Sequence, residues 1–322
     1  VRELLILRHG KSDWSQETDD FNRPLKERGM RDAQRMGVWL VQQDWIPDYI
    51  LSSPASRALG TAEKVCKTMG IYTQQIKQEP RIYEADTAML LGVLMASPAK
   101  ARRVMLVGHN PGLEELVNYL AAQSPAVPPD GKLLPTTTLA RLLMPDDWSR
   151  LPAGCADVDS ITRPQGLPKK FPYPDWQGKE LRDRPAYYYT QSSVIPYRIR
   201  DGKPEILVIM SNQKKHWGVP KGISDPGMTL QEAAAQEALE EAGAEGEVGT
   251  LPLGSYTYKK WGGKCTVHVY PMAVSRLLPE DAWKESHRGR EWLSPQQAIE
   301  RIKHKPLKPM IEALVKQLEK EV

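Results

Sequence analysis

The sequence predicts an α/β protein built as two successive domains, and three observations carry that expectation. Its 322 residues exceed what one ordinary core takes and suit two domains of roughly 150 residues each. Short apolar runs alternate with amphipathic stretches in the first half, whereas in the second half strands come first and a single helix follows. Between Arg163 and Tyr189 the chain reads RPQGLPKKFPYPDWQGKELRDRPAYYY, Pro-rich and without sustained period, which predicts a boundary. The expected division is a first domain over 1–165, a Pro-rich linker over 166–187 and a second domain over 188–322.

In the first domain the runs LLIL, DYILSS, RVMLVG and LARLLM read as strands. The stretches KERGMRDAQRMGVWLVQQ, SRALGTAEKVCKTMG and GLEELVNYLAAQ between them read as helices covering a sheet. Beyond the boundary, SSVIPYRI and EILVIMS predict strands, Leu230 to Ala242 a helix, GSYTYKKW and KCTVHVYPMAV further strands, and Pro295 to Glu321 a closing helix pair. That order reads as a mixed sandwich of sheet and helices.

Bulk properties narrow the function. A formal charge of +4 is a mild surplus, too small for a nucleic-acid footprint, so no nucleic-acid polymer is expected as partner. Cys66, Cys155 and Cys265 are far apart and form no CxxC pair, which fits a reducing compartment and no structural zinc. The apolar run Leu4 to Leu7 is too short for a signal peptide and no segment approaches spanning length, so a cytoplasmic protein without membrane attachment is expected.

The first strand runs into Arg8-His9-Gly10, the third into Val107-Gly108-His109-Asn110-Pro111, and the second into Ser52-Ser53-Pro54-Ala55-Ser56-Arg57. Open α/β sheets build their sites at such strand ends. Asn110 and Ser53 read as caps, and Pro111 and Pro54 as the first turn of the following helices. Two histidines and two arginines meeting there suit phosphoryl transfer through a covalent phosphohistidine. His9 is the expected nucleophile, Arg8 and Arg57 the expected forks on phosphate oxygens, and His109 a further donor.

These motifs, LRHGKS, SSPASRA, IYEA and VGHNP, resemble the histidine phosphatase superfamily, and the compact SixA-like phosphohistidine phosphatases in particular, over residues 1 to about 165. The resemblance implies a three-layer α/β/α domain of phosphoglycerate-mutase type, with no cofactor. It places the superfamily's acid on Glu84, which would extend the range from phosphohistidine to phosphomonoesters. With little chain left for a lid, a shallow pocket open to a protein-borne phosphohistidine is expected.

In the second domain WGVPKGISDPGMTLQEAAAQEALEEAGAEG reads as strand, loop and helix, the helix opened by a Thr229/Glu232 capping box. Glu237, Glu240 and Glu241 fall at i, i+3 and i+4 on one face, where a hard divalent cation would relieve their repulsion. The stretch resembles the Nudix box, G-x5-E-x7-R-E-U-x-E-E-x-G-U, with Gly222, Glu237, Glu240, Glu241 and Gly243 in register. Met228 and Gln236 replace an acid and an arginine that the family pattern expects to pair with each other. The resemblance implies a Nudix α/β/α sandwich with a mixed sheet. It also implies Mg²⁺, or Mn²⁺ in its place, held by Glu237, Glu240, Glu241 and the Gly222 carbonyl, with a base among Glu241, Glu285 and Glu291.

Further on, GREWLSPQQAIERIKHKP resembles the diphosphoinositol and diadenosine polyphosphate hydrolases of that family. Lys214, Lys215, Lys221, Arg288 and Arg290 are expected to bind the polyanion, although Gln191 to Ser193 offers no basic residue for an inositol polyphosphate. The leading expectation is a bifunctional phosphohydrolase acting on small phosphorylated substrates. Two alternatives accompany it. One is sanitation of oxidised nucleotides such as 8-oxo-dGTP, by analogy with enzymes that join the same two domains in opposite order. The other is a signalling phosphatase for a histidine-phosphorylated protein, with a polyphosphate-sensing Nudix half.

Overall fold

The structure, a computed structural model, describes residues 1–321 and divides into two compact units, Val1–Pro185 and Ala186–Val322. In the first, β1 (Arg2–Arg8), β2 (Tyr49–Ser52), β3 (Ile76–Gln78), β4 (Arg103–Gly108), β5 (Leu139–Met144) and β6 (Asp157–Thr162) form a six-stranded sheet in the order β3-β2-β4-β1-β5-β6. The first four are parallel, and β5 and β6 run antiparallel at one side.

Alternation along β1 sets the layers. Leu5 and Leu7 pack with α1 (Glu27–Gln42) and α2 (Ser56–Met69), while Leu4 and Ile6 face α3 (Thr87–Met95) and α4 (Gly112–Leu120). A strand buried on both faces must read as the unbroken apolar run LLIL, which explains why it carries no alternation. Each of these fully buried side chains contributes roughly 1.5–3 kcal/mol. The three-layer expectation is met.

Residues 166–185, expected as part of a linker, instead belong to the first unit. Leu167 joins the α1/α2 core, Phe171 is buried, and the Trp176 Nε1–H donates to the Thr68 carbonyl at 2.8 Å. The segment also pairs β7 (Phe171–Tyr173) with β8 (Glu180–Arg182). Its prolines masked the period, but its aromatics supply enough apolar area to hold it down.

The second unit has an eight-stranded mixed sheet around the path β11-β10-β9-β15-β13. Its strands are β9 (Thr190–Arg200), β10 (Lys203–Met210), β11 (Trp217–Gly218), β12 (Lys221–Ile223), β13 (Ala244–Val248), β14 (Gly254–Lys260), β15 (Gly263–Leu277) and β16 (Arg290–Leu293). On one face α5 (Leu230–Ala242) lays Ala234, Ala238 and Ala242 against Val194, Leu207 and Ile209. On the other, α6 (Pro295–Arg301) and α7 (Leu307–Lys320) cover Ile195, Ile206 and Val208. The alanine stripe brings α5 close to the sheet, and its outer glutamates close to β12.

Candidate active sites

The parallel register puts the ends of β1, β2 and β4 at one edge: Arg8 pairs with Gly108 and Ser52 with Val107. His9 and His109 therefore leave adjacent strands together, with ring centroids 5.2 Å apart. Arg57 arrives on the first turn of α2, which starts at Ser56, two residues later than Pro54 had suggested. Likewise α4 starts at Gly112, where Asn110 Oδ1 accepts the Glu114 N–H at 3.3 Å. Arg8, His9, Arg57 and His109 line one cavity of about 420 Å³ with Lys11 and Arg23.

His9 is oriented by its own chain. Its Nδ1 lies 2.8 Å from the Gly10 carbonyl, which can only accept, so Nδ1 carries the proton and Nε2 keeps a lone pair. Gly10 in turn donates to Thr61 Oγ1 at 2.9 Å, tying the loop to α2. Burial pushes the His9 pKa down to about 4, helped by Arg57, Arg8 and Arg23. Burial and the His9 imidazole push His109 down to about 3. The His109 Nε2 meets Ser53 Oγ at 2.8 Å while its Nδ1 is buried without a protein partner, as are Arg8 Nε and Arg57 Nε. Arg8, Lys11, Arg23, Lys26 and Arg57 line the cavity with no carboxylate among its described lining residues, a charge balance that suits an anion.

Two features differ from expectation, while His9 itself, 9% exposed, sits low in its half-open cavity. Arg57 does not present a free fork, because its Nη atoms donate to the Asp20 carbonyl at 2.6 Å and carboxylate at 3.0 Å. Asp20 also takes the Tyr83 hydroxyl at 2.6 Å and Arg23 at 2.9 Å, and that set, led by Tyr83, holds its pKa down to about 2. Glu84 is exposed, in a left-handed conformation with φ 54°, and does not line the cavity. Asp20, Arg23 and Tyr83 escaped the sequence reading because they reach the site from loops rather than from strand ends.

In the second unit α5 begins at Thr229, whose Oγ1 accepts the Glu232 N–H at 3.1 Å. The Glu232 carboxylate meets the Thr229 hydroxyl, in place of the reciprocal backbone bond of a full box. Gly222 on β12 lets the Glu237 carboxylate lie against the backbone; a Cβ there would push it aside. Glu241, 7% exposed, accepts the Lys221 N–H at 3.2 Å and faces Arg288 at 3.5 Å. Burial, with the charges of Glu241, Glu240, Glu285 and Asp225 beside it, raises Glu237 to about 8. Burial likewise raises Glu241 to about 7, against the opposing pull of Arg288.

Glu240, on the rim, accepts from Gln236 Nε2 at 3.0 Å. Gln236, where the family pattern has arginine, thus touches one of the three carboxylates. Among the described residues no three carboxyl, imidazole or thiol groups enclose a point as a ready-made metal cage. The donor chemistry nonetheless fits a hard cation: the half-buried Glu237, raised by burial and by Glu241, and the buried Glu241 would both lose their protons to a divalent charge.

The cations separate into two groups. Lys221 and Arg288 line a cavity of about 410 Å³ with Glu241, Tyr256, Tyr258 and His304. Lys214 and Lys215 are exposed in a turn outside its lining. Arg290 is a correction: it donates to the Ala242 carbonyl at 2.9 Å and to the Gly243 and Leu278 carbonyls, so it caps the end of α5 and stacks on Trp283. Of the loop acids, Glu285 adjoins the cluster through its N–H to the Glu240 carbonyl at 2.9 Å, whereas Glu291 pairs with Arg301. The aromatics were visible as the alternating face of β14, without any sign of what they face.

Gly222→Ala is expected to displace the Glu237 carboxyl by an ångström or more and to lower the turnover of the second unit about a hundredfold, the usual cost of such misplacement. Parallel assays of the full chain check it, with turnover at the His9 cavity as the internal control.

A strand-end histidine pair among arginines marks the first unit, and an acidic helix over a glycine loop marks the second. The family model of the histidine phosphatase superfamily (branch 1) matches residues 4–103, and that of the NUDIX domain matches residues 190–314. Nudix hydrolase 21, chloroplastic, of Arabidopsis thaliana is 34% identical over 149 residues, covering 43% of this chain and 72% of that protein. Diphosphoinositol polyphosphate phosphohydrolase 2 of Rattus norvegicus is 31% identical over 121 residues, covering 36% of this chain and 65% of that protein. Among solved structures, the protein histidine phosphatase SixA complexed with tungstate overlays 51% of this chain and 97% of its own at 23% identity and a TM-score of 0.43. Ap4A hydrolase of C. elegans overlays 40% of this chain and 98% of its own at 23% identity and a TM-score of 0.34.

The chain belongs to the Nudix hydrolases, and residues 4–103 in its N-terminal half match the family model of the histidine phosphatase superfamily. Both are hydrolase families. No helix among the described residues is long and apolar enough to cross a membrane.

Proposed function

We propose that the two halves hydrolyse different phosphate bonds. In the first, His9 Nε2 attacks phosphorus, forming an N–P bond as the leaving group departs with its electron pair. Water then cleaves that bond and returns the lone pair to Nε2. Arg8, Arg57 and His109, which line the cavity, would hold the phosphate oxygens, with the Asp20 carboxylate yielding part of the Arg57 fork. The observation that carries this reading is the fixed Nδ1–H tautomer of His9 inside a cationic cavity.

The low His9 and His109 values fix the pH dependence. A group whose pKa is depressed in the folded protein stays in its neutral, competent form as pH falls through the ordinary 6.5, and is lost only near 4. The acid limb of kcat/KM, corrected for substrate ionisation, is expected near pH 4; a limb centred at 6.5 would sink the assignment. Folded stability should decline over the same window, because the unfolded chain takes up protons there that the native one refuses.

In the second half, a divalent cation, when bound by Glu237, Glu241 and the Gly222 carbonyl with Glu240 at the rim, supplies Lewis-acid polarisation and an activated water. Lys221 and Arg288 would orient the diphosphate, and Glu241 or Glu285 would accept the proton of the attacking water. Tyr256, Tyr258 and His304 line the remaining wall, and Tyr256 and His304 lie edge to face at 4.6 Å. Aromatic walls suit a nucleobase, and with two cations lining the cavity the site supports a dinucleoside or nucleoside polyphosphate over a diphosphoinositol. Phosphorus NMR of products from diadenosine tetraphosphate, 8-oxo-dGTP and a diphosphoinositol tests this. The dinucleotide is expected to be preferred at least about tenfold in kcat/KM, one good contact's worth. Preference for the inositol would overturn it.

A further inference from the structure

The cavity around His9 has a neighbour. A recess of about 270 Å³ shares the walls formed by Arg8, Lys11 and Thr136 and adds Arg28, Lys132 and Arg163. The one carboxylate lining either space, among the described residues, is Asp130. It is already neutralised by a two-pronged pair with Arg163, at 2.6 and 3.1 Å. Lys11, Arg28 and Lys132 make no ion pair among the described residues. Elsewhere in the unit arginines facing the same α1 helix or the sheet are matched, as in Arg35 with Asp32, Arg103 with Glu3 and Arg141 with Asp159.

One wall of the recess is fixed by hydrogen bonds. The segment 130–136 that forms its wall is tied to the reaction centre: the Leu134 carbonyl accepts from Arg8 Nη1 at 3.1 Å and from Asn110 Nδ2 at 2.8 Å. The Leu134 N–H donates to Glu114 at 2.9 Å, and the Lys132 carbonyl accepts from Arg163 at 2.7 Å. Lys11, Arg28 and Lys132 are exposed and unpaired beside the proposed phosphate site, so they repel one another and any incoming cation. A second phosphate, bringing about 1.5 to 2 negative charges, matches them.

We propose that this recess is a second phosphate subsite, and that the phosphatase half acts on a small molecule carrying two phosphates, one over His9 and the other among Lys11, Arg28 and Lys132. The proposal rests on the His9 reading above. A protein-borne phosphohistidine offers a single phosphate and leaves the recess cations unmatched.

Steady-state hydrolysis by the full chain tests it with two matched pairs: glucose 6-phosphate against glucose 1,6-bisphosphate, and adenosine 5′-monophosphate against adenosine 3′,5′-bisphosphate. At least one bisphosphate should exceed its monophosphate tenfold or more in kcat/KM. In Arg28→Ala and Lys132→Ala that ratio should fall about tenfold, the scale of one charge-assisted hydrogen bond. Ratios near one for both pairs, or ratios unmoved by either variant, overturn the proposal. So does faster turnover of a histidine-phosphorylated protein than of either bisphosphate. p-Nitrophenyl phosphate separates the two levels: its hydrolysis by His9→Ala would sink the reaction centre itself, whereas its loss in that variant leaves only the second subsite in question.

Discussion

Replacing His9 with alanine should lower phosphatase turnover by about a thousandfold or more, while hydrolysis of phosphoanhydrides by the same chain stays at its original rate. The size follows from the chemistry: without a nucleophile the two-step route closes, and only binding and electrostatic stabilisation remain. The cations survive the substitution. Arg8, Arg57, Arg23 and Lys11 still line the cavity, so affinity for inorganic phosphate should change by no more than a few-fold. Loss in kcat with retained binding is the signature of a group that acts in the chemical step. Brief incubation with a ³²P-labelled substrate should leave acid-labile label on the original protein and none on His9→Ala. Label on the variant, or turnover within tenfold of the original, would end the nucleophile assignment. The intact anhydride activity guards against unfolding as the explanation.

Much of this arrangement is written locally in the chain, and the exceptions are instructive. β4, β5 and α5 lie where their patterns put them, because their period and boundary residues agree with the packing they receive. α3 went unread because TAMLLGVLM is apolar on nearly every side, so no 3.6-residue stripe separates its buried Leu90 and Leu94 from its exposed Met89 and Met95. β6, DVDSIT, is a polar edge strand with little inward signal. At the sites, strand-end logic locates His9, His109 and Arg57, since parallel register makes their meeting nearly obligatory. It cannot see Asp20, which reaches Arg57 from a loop 37 residues away, nor that the Arg290 guanidinium turns to the carbonyls ending α5 instead of a ligand. Charge alone marks a residue as a candidate; its partner is decided by tertiary packing.

The companion prediction concerns Glu241. Glu241→Gln is expected to reduce anhydride hydrolysis about a hundredfold or more, because a neutral amide neither balances a divalent charge nor accepts a proton from water. Stability supplies a second, independent readout. In the absence of cation, burial makes both the Glu237 and Glu241 charges unfavourable, and the Glu241 charge raises Glu237 further. Mg²⁺ bound to the native state alone should stabilise it by about 2.7 kcal/mol at a hundredfold excess over its dissociation constant. That Mg²⁺-dependent rise in melting temperature should be largely lost in Glu241→Gln, while the melting temperature in chelator should hold or rise, because one member of the repelling pair has gone. The phosphatase half, with its separate reaction centre, should respond to neither Mg²⁺ nor the substitution. A variant that keeps the full Mg²⁺ shift would move the cation away from Glu241, and with it the proposed geometry of hydrolysis.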